Sequence, residues 1–98
     1  MYKLLIVDDE KIEREGMAEL IPWESYGIEL AGTAWNGQDG YEQVLKVHPD
    51  IVMTDIKMPV MDGLELIRRL KEEFPDIEVI VLSGYGEYEY TSQAMELG

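Results

Sequence analysis

The chain has 98 residues, 46% hydrophobic and 30% charged, a composition that favours one small folded domain over a disordered segment. Its 21 acidic residues against 8 basic ones give a formal net charge of −13, which disfavours direct contact with nucleic acid or an anionic membrane. The absence of cysteine excludes disulfides and thiolate sites, and the N-terminal apolar run is too short for a signal peptide or a membrane span, so we expect a cytoplasmic chain.

Short apolar runs alternate with amphipathic stretches along the whole chain. We predict strands over 3–7, 28–34, 51–54 and 78–82. We predict helices over 11–21, from Asn36 or Gly37 to just before Pro49, from an Asp62 N-cap to just before Pro75, and over 87–97. Four successive β-α units imply right-handed crossovers and a parallel sheet with helices on both faces. The pattern leaves the strand order open.

Each of the first three helices has apolar positions that we predict to face the sheet. They are Ile12, Met17, Leu20 and Ile21 in the first helix, Tyr41, Val44 and Leu45 in the second, and Leu64, Ile67, Leu70 and Phe74 in the third.

Acidic residues follow the first and third predicted strands. Asp8 and Asp9 come directly after the first strand, and Asp55 directly follows the third. Because the carboxyl ends of neighbouring parallel strands meet at one edge of a sheet, we expect these three carboxylates to converge if the two strands are adjacent. Such a cluster repels itself unless a cation or a proton intervenes. Oxygen ligands without His or Cys suit Mg²⁺.

We predict that Asp9 and Asp55 bind Mg²⁺ directly, that Asp8 holds a metal-bound water, and that the backbone carbonyl of Lys57 is a further ligand. Asp55 is also placed to act as the nucleophile toward a phosphoryl group, with the Ser83 hydroxyl as a hydrogen-bond donor. Any one of these residues can equally be only a helix cap or a turn residue. Their shared position at one edge of the sheet favours the chemical role.

Three motifs occur in order along the chain. They are Val7-Asp8-Asp9-Glu10, then Asp55-Ile56-Lys57-Met58-Pro59 with Met61-Asp62-Gly63, then Leu82-Ser83-Gly84. Together they resemble the receiver domain of two-component response regulators. The resemblance implies a flavodoxin-like, doubly wound sheet of strand order 2-1-3-4-5. It also implies Mg²⁺ binding by Asp8 and Asp9, acceptance of phosphate from a sensor histidine kinase by Asp55, and contact of Ser83 with the phosphoryl group.

The stretches 21–24 and 83–90 resemble the subgroup of receivers joined to AraC-type DNA-binding domains. This implies a regulatory domain that catalyses only its own phosphorylation and dephosphorylation. Its partners would be the kinase, a helix-turn-helix output domain and a second copy of the chain. The family's fifth strand, Lys-Pro pair and fifth helix would lie beyond Gly98, so we expect residues 1–98 to be a receiver truncated after its fourth βα unit. Its fourth strand would then be a sheet edge.

Three other functions compete with that of a phosphoacceptor. A phosphatase of the haloacid-dehalogenase type needs a second aspartate two positions after the nucleophile, where this chain has Lys57. A nucleotide-binding domain is disfavoured because residues 8–10 are acidic where a glycine-rich phosphate loop would be. A pseudo-receiver, acting as a phosphorylation-independent protein-interaction module, remains open as the alternative.

Overall fold

The computed structural model describes residues 1–82, so the predictions for Ser83, the tyrosine-rich stretch and the helix over 87–97 lie outside the described residues. The strands are β1 (Tyr2–Val7), β2 (Ile28–Ala34), β3 (Ile51–Asp55) and β4 (Glu78–Leu82), and the α-helices are α1 (Lys11–Leu20), α2 (Gly37–Val47) and α3 (Gly63–Glu73). A short 3₁₀ helix, Trp23–Tyr26, precedes β2 and was not predicted. No helix within residues 1–82 is long and apolar enough to cross a bilayer.

All four strands are parallel, in the order β2-β1-β3-β4. The predicted α/β class is confirmed, and so is the flavodoxin-like strand order for the described strands. Right-handed crossovers place α1 on one face of the sheet and α2 and α3 on the other, because the chain moves in opposite directions from β1 to β2 and from β2 to β3. Among residues 1–82, β4 lies at an edge of the sheet.

The main core lies between the sheet and the two helices α2 and α3, which cover the same face of the sheet. Alternate residues of β1 point into it, as expected for a pleated strand. Its buried members are Leu5, Val7, Ala34, Val44, Val52, Met61, Leu66, Leu70 and Ile77. A smaller cluster contains Ile56, the first residue after β3, and Ile67 of α3. Buried core residues therefore lie at the carboxyl end of β1 and directly after β3.

The predicted orientation of α1 is wrong at two positions. Ile12 and Leu20 are 85% and 82% exposed. The residues that are partly covered include Arg14, Met17 and Ala18, which have the i, i+3, i+4 spacing of one helical face. The helix is rotated because its apolar residues do not form one continuous stripe, and the face that docks includes a long arginine stem.

Smaller corrections apply to the other two helices. Leu45 is about half exposed, whereas Gly40 and Val44 are buried in α2. In α3 the predicted Ile67 and Leu70 are buried, and Leu66, which was not predicted, is buried with them. A small residue at position 40 lets α2 approach the sheet closely, and this approach sets which neighbouring side chains are covered.

Candidate functional site

Three carboxylates converge at the carboxyl edge of the sheet. Oxygen atoms of Asp8, Asp9 and Asp55 all lie within 4.8 Å of one another. The strand register explains this arrangement, because Val7 pairs with Thr54 and the next residues of the two strands therefore end at the same level. Asp8 is buried, Asp55 is half-buried and Asp9 is exposed, so solvent reaches the cluster at Asp9. The predicted convergence of the three residues is confirmed.

The turn from β1 into α1 is held by hydrogen bonds to Asp8. Its N–H donates to the carbonyl of Ala34 at 3.0 Å, and its Oδ1 accepts the N–H of Glu10 at 2.9 Å. The Nη1 of Arg14 donates to the backbone carbonyl of Asp8 at 2.8 Å. Within the described residues, the side chain of Glu10 makes no capping hydrogen bond to α1. Contacts to Asp8 therefore order a turn that lacks an ordinary side-chain cap.

Burial raises the pKa of Asp8 from 3.8 to about 6. Burial is the largest of several contributions to this net shift: the N–H of Glu10 lowers the pKa because it stabilises the carboxylate, whereas the side chain of Glu13 and the charge of Asp9 contribute to the rise. Without a cation, ionising Asp8 therefore costs more free energy in the folded protein than in the unfolded chain. A bound divalent cation would offset both the burial and the repulsion between the carboxylates.

The loop from β3 to α3 packs tightly against its surroundings at two glycines. The N–H of Gly63 donates to the carbonyl of Ile56 at 2.7 Å, and the N–H of Gly37 in α2 donates to the carbonyl of Met61 at 2.8 Å. A Cβ atom would lie 2.1 Å from the carbonyl oxygen of Asp55 if added at Gly63, and 2.2 Å from that of Met61 if added at Gly37. Neither position accommodates a side chain. The two close approaches hold the loop against the end of β3 and against α2.

Side-chain caps begin the two helices that flank this loop. Asn36 accepts the N–H of Asp39 at 2.8 Å at the start of α2. Asp62 accepts the N–H of Glu65 at 2.9 Å at the start of α3. The predicted Asp62 cap is confirmed, so Asp62 has a structural role in the β3–α3 loop, and the second helix begins at Gly37, one of its two predicted starts.

The other predicted site residues are Lys57 and Ser83. Lys57 is exposed and lies in the β3–α3 loop, and the role of its carbonyl as a metal ligand stays a prediction. Ser83 lies outside the described residues. Its predecessor Leu82 pairs with Asp55, so the chain reaches the same edge of the sheet one residue before Ser83.

Two neighbours of Asp8, Glu13 and Arg14, were not predicted from the sequence. Both are in the first turns of α1, and helical side chains lean back toward the N-terminal end of their helix. Their spacing after the acidic pair is therefore the signal that could have identified them.

Comparison with known proteins decides the family. The family model of the response regulator receiver domain matches residues 4–98 of the chain. The chain belongs to this family. The receiver domain is also similar in structure to the REC domain of AraT, a response regulator from Geobacillus stearothermophilus, with a TM-score of 0.93 and 38% identity over 99% of this chain and 75% of that one. A two-component transcriptional regulator AraC from Clostridium phytofermentans gives a TM-score of 0.82 at 38% identity, over 92% and 73% of the two chains.

Curated relatives are longer than this receiver domain. YesN of Bacillus subtilis, an uncharacterized transcriptional regulatory protein, is 52% identical over 98 residues. The aligned region covers 100% of this chain but only 27% of YesN. The transcriptional regulatory protein HptR of Staphylococcus aureus is 35% identical over 96 residues, which are 98% of this chain and 37% of HptR. The chain is thus similar to the regulatory part of larger two-component response regulators.

Proposed function

We propose that this receiver domain accepts a phosphoryl group from a sensor histidine kinase onto the carboxylate of Asp55, with Mg²⁺ bound at the acidic cluster. The observation that supports this proposal most directly is the approach of Asp8, Asp9 and Asp55 to within 4.8 Å of one another. Phosphoryl transfer needs an aligned nucleophile and a cation beside the transferred oxygens. The carboxyl edge of the sheet offers Asp55 as the candidate nucleophile and the acidic cluster as the candidate cation site.

The residues present fit a hard divalent cation. The cluster offers only carboxylate oxygens, and the raised pKa of its buried member, Asp8, reflects how costly the carboxylate charge is without a cation. Receiver domains generally bind Mg²⁺ at such an acidic pocket. In our proposal Asp9, Asp55 and the carbonyl of Lys57 would hold the ion directly, and Asp8 would hold one of its waters. Bound Mg²⁺ would offset the repulsion between the carboxylates and the phosphoryl oxygens.

In the proposed step, a carboxylate oxygen of Asp55 attacks the phosphorus atom of a phosphohistidine on the kinase. The P–O bond forms as the P–N bond breaks, and the imidazole nitrogen keeps the bonding electron pair. The product is an acyl phosphate on Asp55. Ser83 is proposed to donate a hydrogen bond to a phosphoryl oxygen, which the pairing of Leu82 with Asp55 supports. The added charge would shift an equilibrium between inactive and active conformations.

We propose that the output of this receiver is transcriptional. Response regulators act with histidine kinases and carry output domains, and YesN and HptR are named as transcriptional regulatory proteins. An AraC-type helix-turn-helix domain is the output partner that we propose, with dimerisation through a second copy of the chain. A net charge of −13 disfavours DNA contact by this segment, which supports placing that contact in the output domain.

Asp55→Ala is expected to abolish phosphorylation of the chain by a small phosphodonor, such as acetyl phosphate, in the presence of Mg²⁺. The reason is that the variant lacks the attacking oxygen. Intact-protein mass spectrometry would show one added phosphoryl group on the unaltered chain and none on the variant. Asp62→Asn is the matched control, since it changes a carboxylate of the same loop but keeps the helix cap. An unaltered chain that never gains the group would favour the pseudo-receiver, and a phosphorylated Asp55→Ala would refute the assignment of the nucleophile.

Asp9→Asn is expected to weaken Mg²⁺ binding at least tenfold, because even the outer partners of metal ligands are worth roughly 10- to 100-fold in affinity. Calorimetric titration with magnesium chloride measures the change. Glu29→Gln removes one negative charge from the exposed start of β2 and controls for the lower overall charge. Equal affinities for the two variants would exclude Asp9 from the metal site.

A further inference from the structure

We infer that Arg14 is a positioning residue, which holds the Asp8–Asp9 turn in the geometry that binds Mg²⁺. Its Nη1 donates a 2.8 Å hydrogen bond to the backbone carbonyl of Asp8. A charged donor makes a stronger hydrogen bond than a neutral one, and the planar guanidinium makes it directional. The inference rests on the proposed Mg²⁺ site and assigns to Arg14 no contact with the ion.

The carbonyl that Arg14 contacts belongs to the peptide unit that joins Asp8 to Asp9. This unit is planar, so fixing the direction of its carbonyl also fixes the position of the Asp9 amide and Cα. The carboxylate of Asp8 is held separately, since its Oδ1 accepts the N–H of Glu10 at 2.9 Å. Arg14 therefore acts on the part of the turn that the Glu10 contact leaves unrestrained, and this part directs the exposed carboxylate of Asp9.

The arginine is itself held in place. Its N–H donates to the carbonyl of Glu10 at 2.8 Å in the first turn of α1, and it lies on the partly covered face with Met17 and Ala18. The helices α2 and α3 begin with side-chain caps from Asn36 and Asp62. At the start of α1, just after β1, the side chain of Arg14 instead reaches back to the preceding turn.

Positioning and charge predict opposite effects when Arg14 is replaced. Arg14 carries a positive charge close to the acidic cluster, so its electrostatic effect alone opposes the binding of a cation. Removing that charge should then tighten Mg²⁺ binding. If Arg14 mainly orders the turn, removing it should weaken Mg²⁺ binding, because the ligands lose their relative orientation. The sign of the change separates the two roles.

The test compares Arg14→Met, which removes the charge and the donors, with Arg14→Lys, which keeps the charge but lacks the planar fork. Calorimetric titration of the 98-residue chain with magnesium chloride should show affinity reduced roughly tenfold by Arg14→Met and by a smaller factor by Arg14→Lys. Lys11→Met is the matched control. It removes an exposed positive charge from the same helix, where Lys11 lies 4.0 Å from Glu15, and should leave affinity unchanged or slightly higher.

Thermal unfolding in EDTA shows whether each variant is folded, and it also tests a purely structural role. If Arg14 only stabilised the fold, replacing it would lower the unfolding temperature but leave the Mg²⁺ affinity of the folded variant unchanged. That result, or tighter binding by Arg14→Met, would overturn the inference while leaving the proposed function intact. Failure of the unaltered chain to bind Mg²⁺ would overturn the proposed metal site and this inference together.

Discussion

Gly63→Ala is expected to destabilise the fold by roughly 3 kcal/mol, which is a large loss for a domain of this size. A Cβ atom at this position would lie 2.1 Å from the carbonyl oxygen of Asp55 and 2.7 Å from the Cα of Ile56. Both contacts are with backbone atoms at the end of β3, so no side-chain rotation can relieve them. The β3–α3 loop would have to move away from Asp55, and phosphoryl acceptance should fall with stability.

Gly16→Ala provides a control with the same chemical change and the opposite expected sign. Gly16 lies inside α1, and an added Cβ would meet nothing within 4 Å. Replacing a helical glycine by alanine then stabilises by roughly 0.5–1 kcal/mol, since the unfolded chain loses conformational freedom. Urea unfolding of both variants measures the contrast. Similar midpoints for the two would contradict the close packing at Gly63.

Asp8→Asn is expected to stabilise the Mg²⁺-free protein at neutral pH, by no more than about 3 kcal/mol, and to remove a pH dependence. The pKa of Asp8 rises from 3.8 to about 6 on folding, mainly through burial. Below about pH 4 the carboxyl is protonated in both states and has no effect. As the pH rises toward 6 the unfolded chain releases the proton while the folded chain retains it, so the folded state loses stability. Above pH 6 the full cost persists.

The difference in unfolding free energy between the unaltered chain and Asp8→Asn, followed from pH 4 to pH 7 in EDTA, isolates the contribution of this one carboxyl. Asp76→Asn is the control. Asp76 is an exposed carboxyl just before β4, at the amino-terminal end of the strands and away from the acidic cluster. Adding Mg²⁺ at pH 7 should stabilise the unaltered chain more than Asp8→Asn, since the ion favours the ionised carboxylate. A constant difference across this pH range would show that Asp8 has an ordinary pKa.

The strands could be predicted from local pattern because each buried strand needs a short apolar run and little else. The run before Asp8 and the run before Asp55 are of this kind, and both become central strands. The starts of α2 and α3 also depend on local sequence, since the side chains of Asn36 and Asp62 accept hydrogen bonds from backbone N–H groups only three residues away. Such features depend on neighbours in the chain, which sequence reasoning can see.

The face that a helix buries was less predictable. Apolar residues alone gave a partly wrong face for α1, where Ile12 and Leu20 are exposed and Arg14 is partly covered. An apolar side chain is not obliged to be buried, and the position of the sheet decides which face docks. Leu66 was missed in α3 for the same reason, because its burial depends on contacts with other elements.

The sequence by itself determined the chemistry available at the site: carboxylates directly after two strands, only oxygen donors, and motifs that identify a receiver domain. Only the tertiary structure decided the geometry. Pairing of Val7 with Thr54 brings the carboxylates to within 4.8 Å, and packing buries Asp8 while Asp9 stays exposed. The contact of Arg14 with the Asp8 carbonyl likewise needs the folded β1–α1 turn. Strand register and burial depend on elements distant in the chain, and no local pattern encodes where those elements meet.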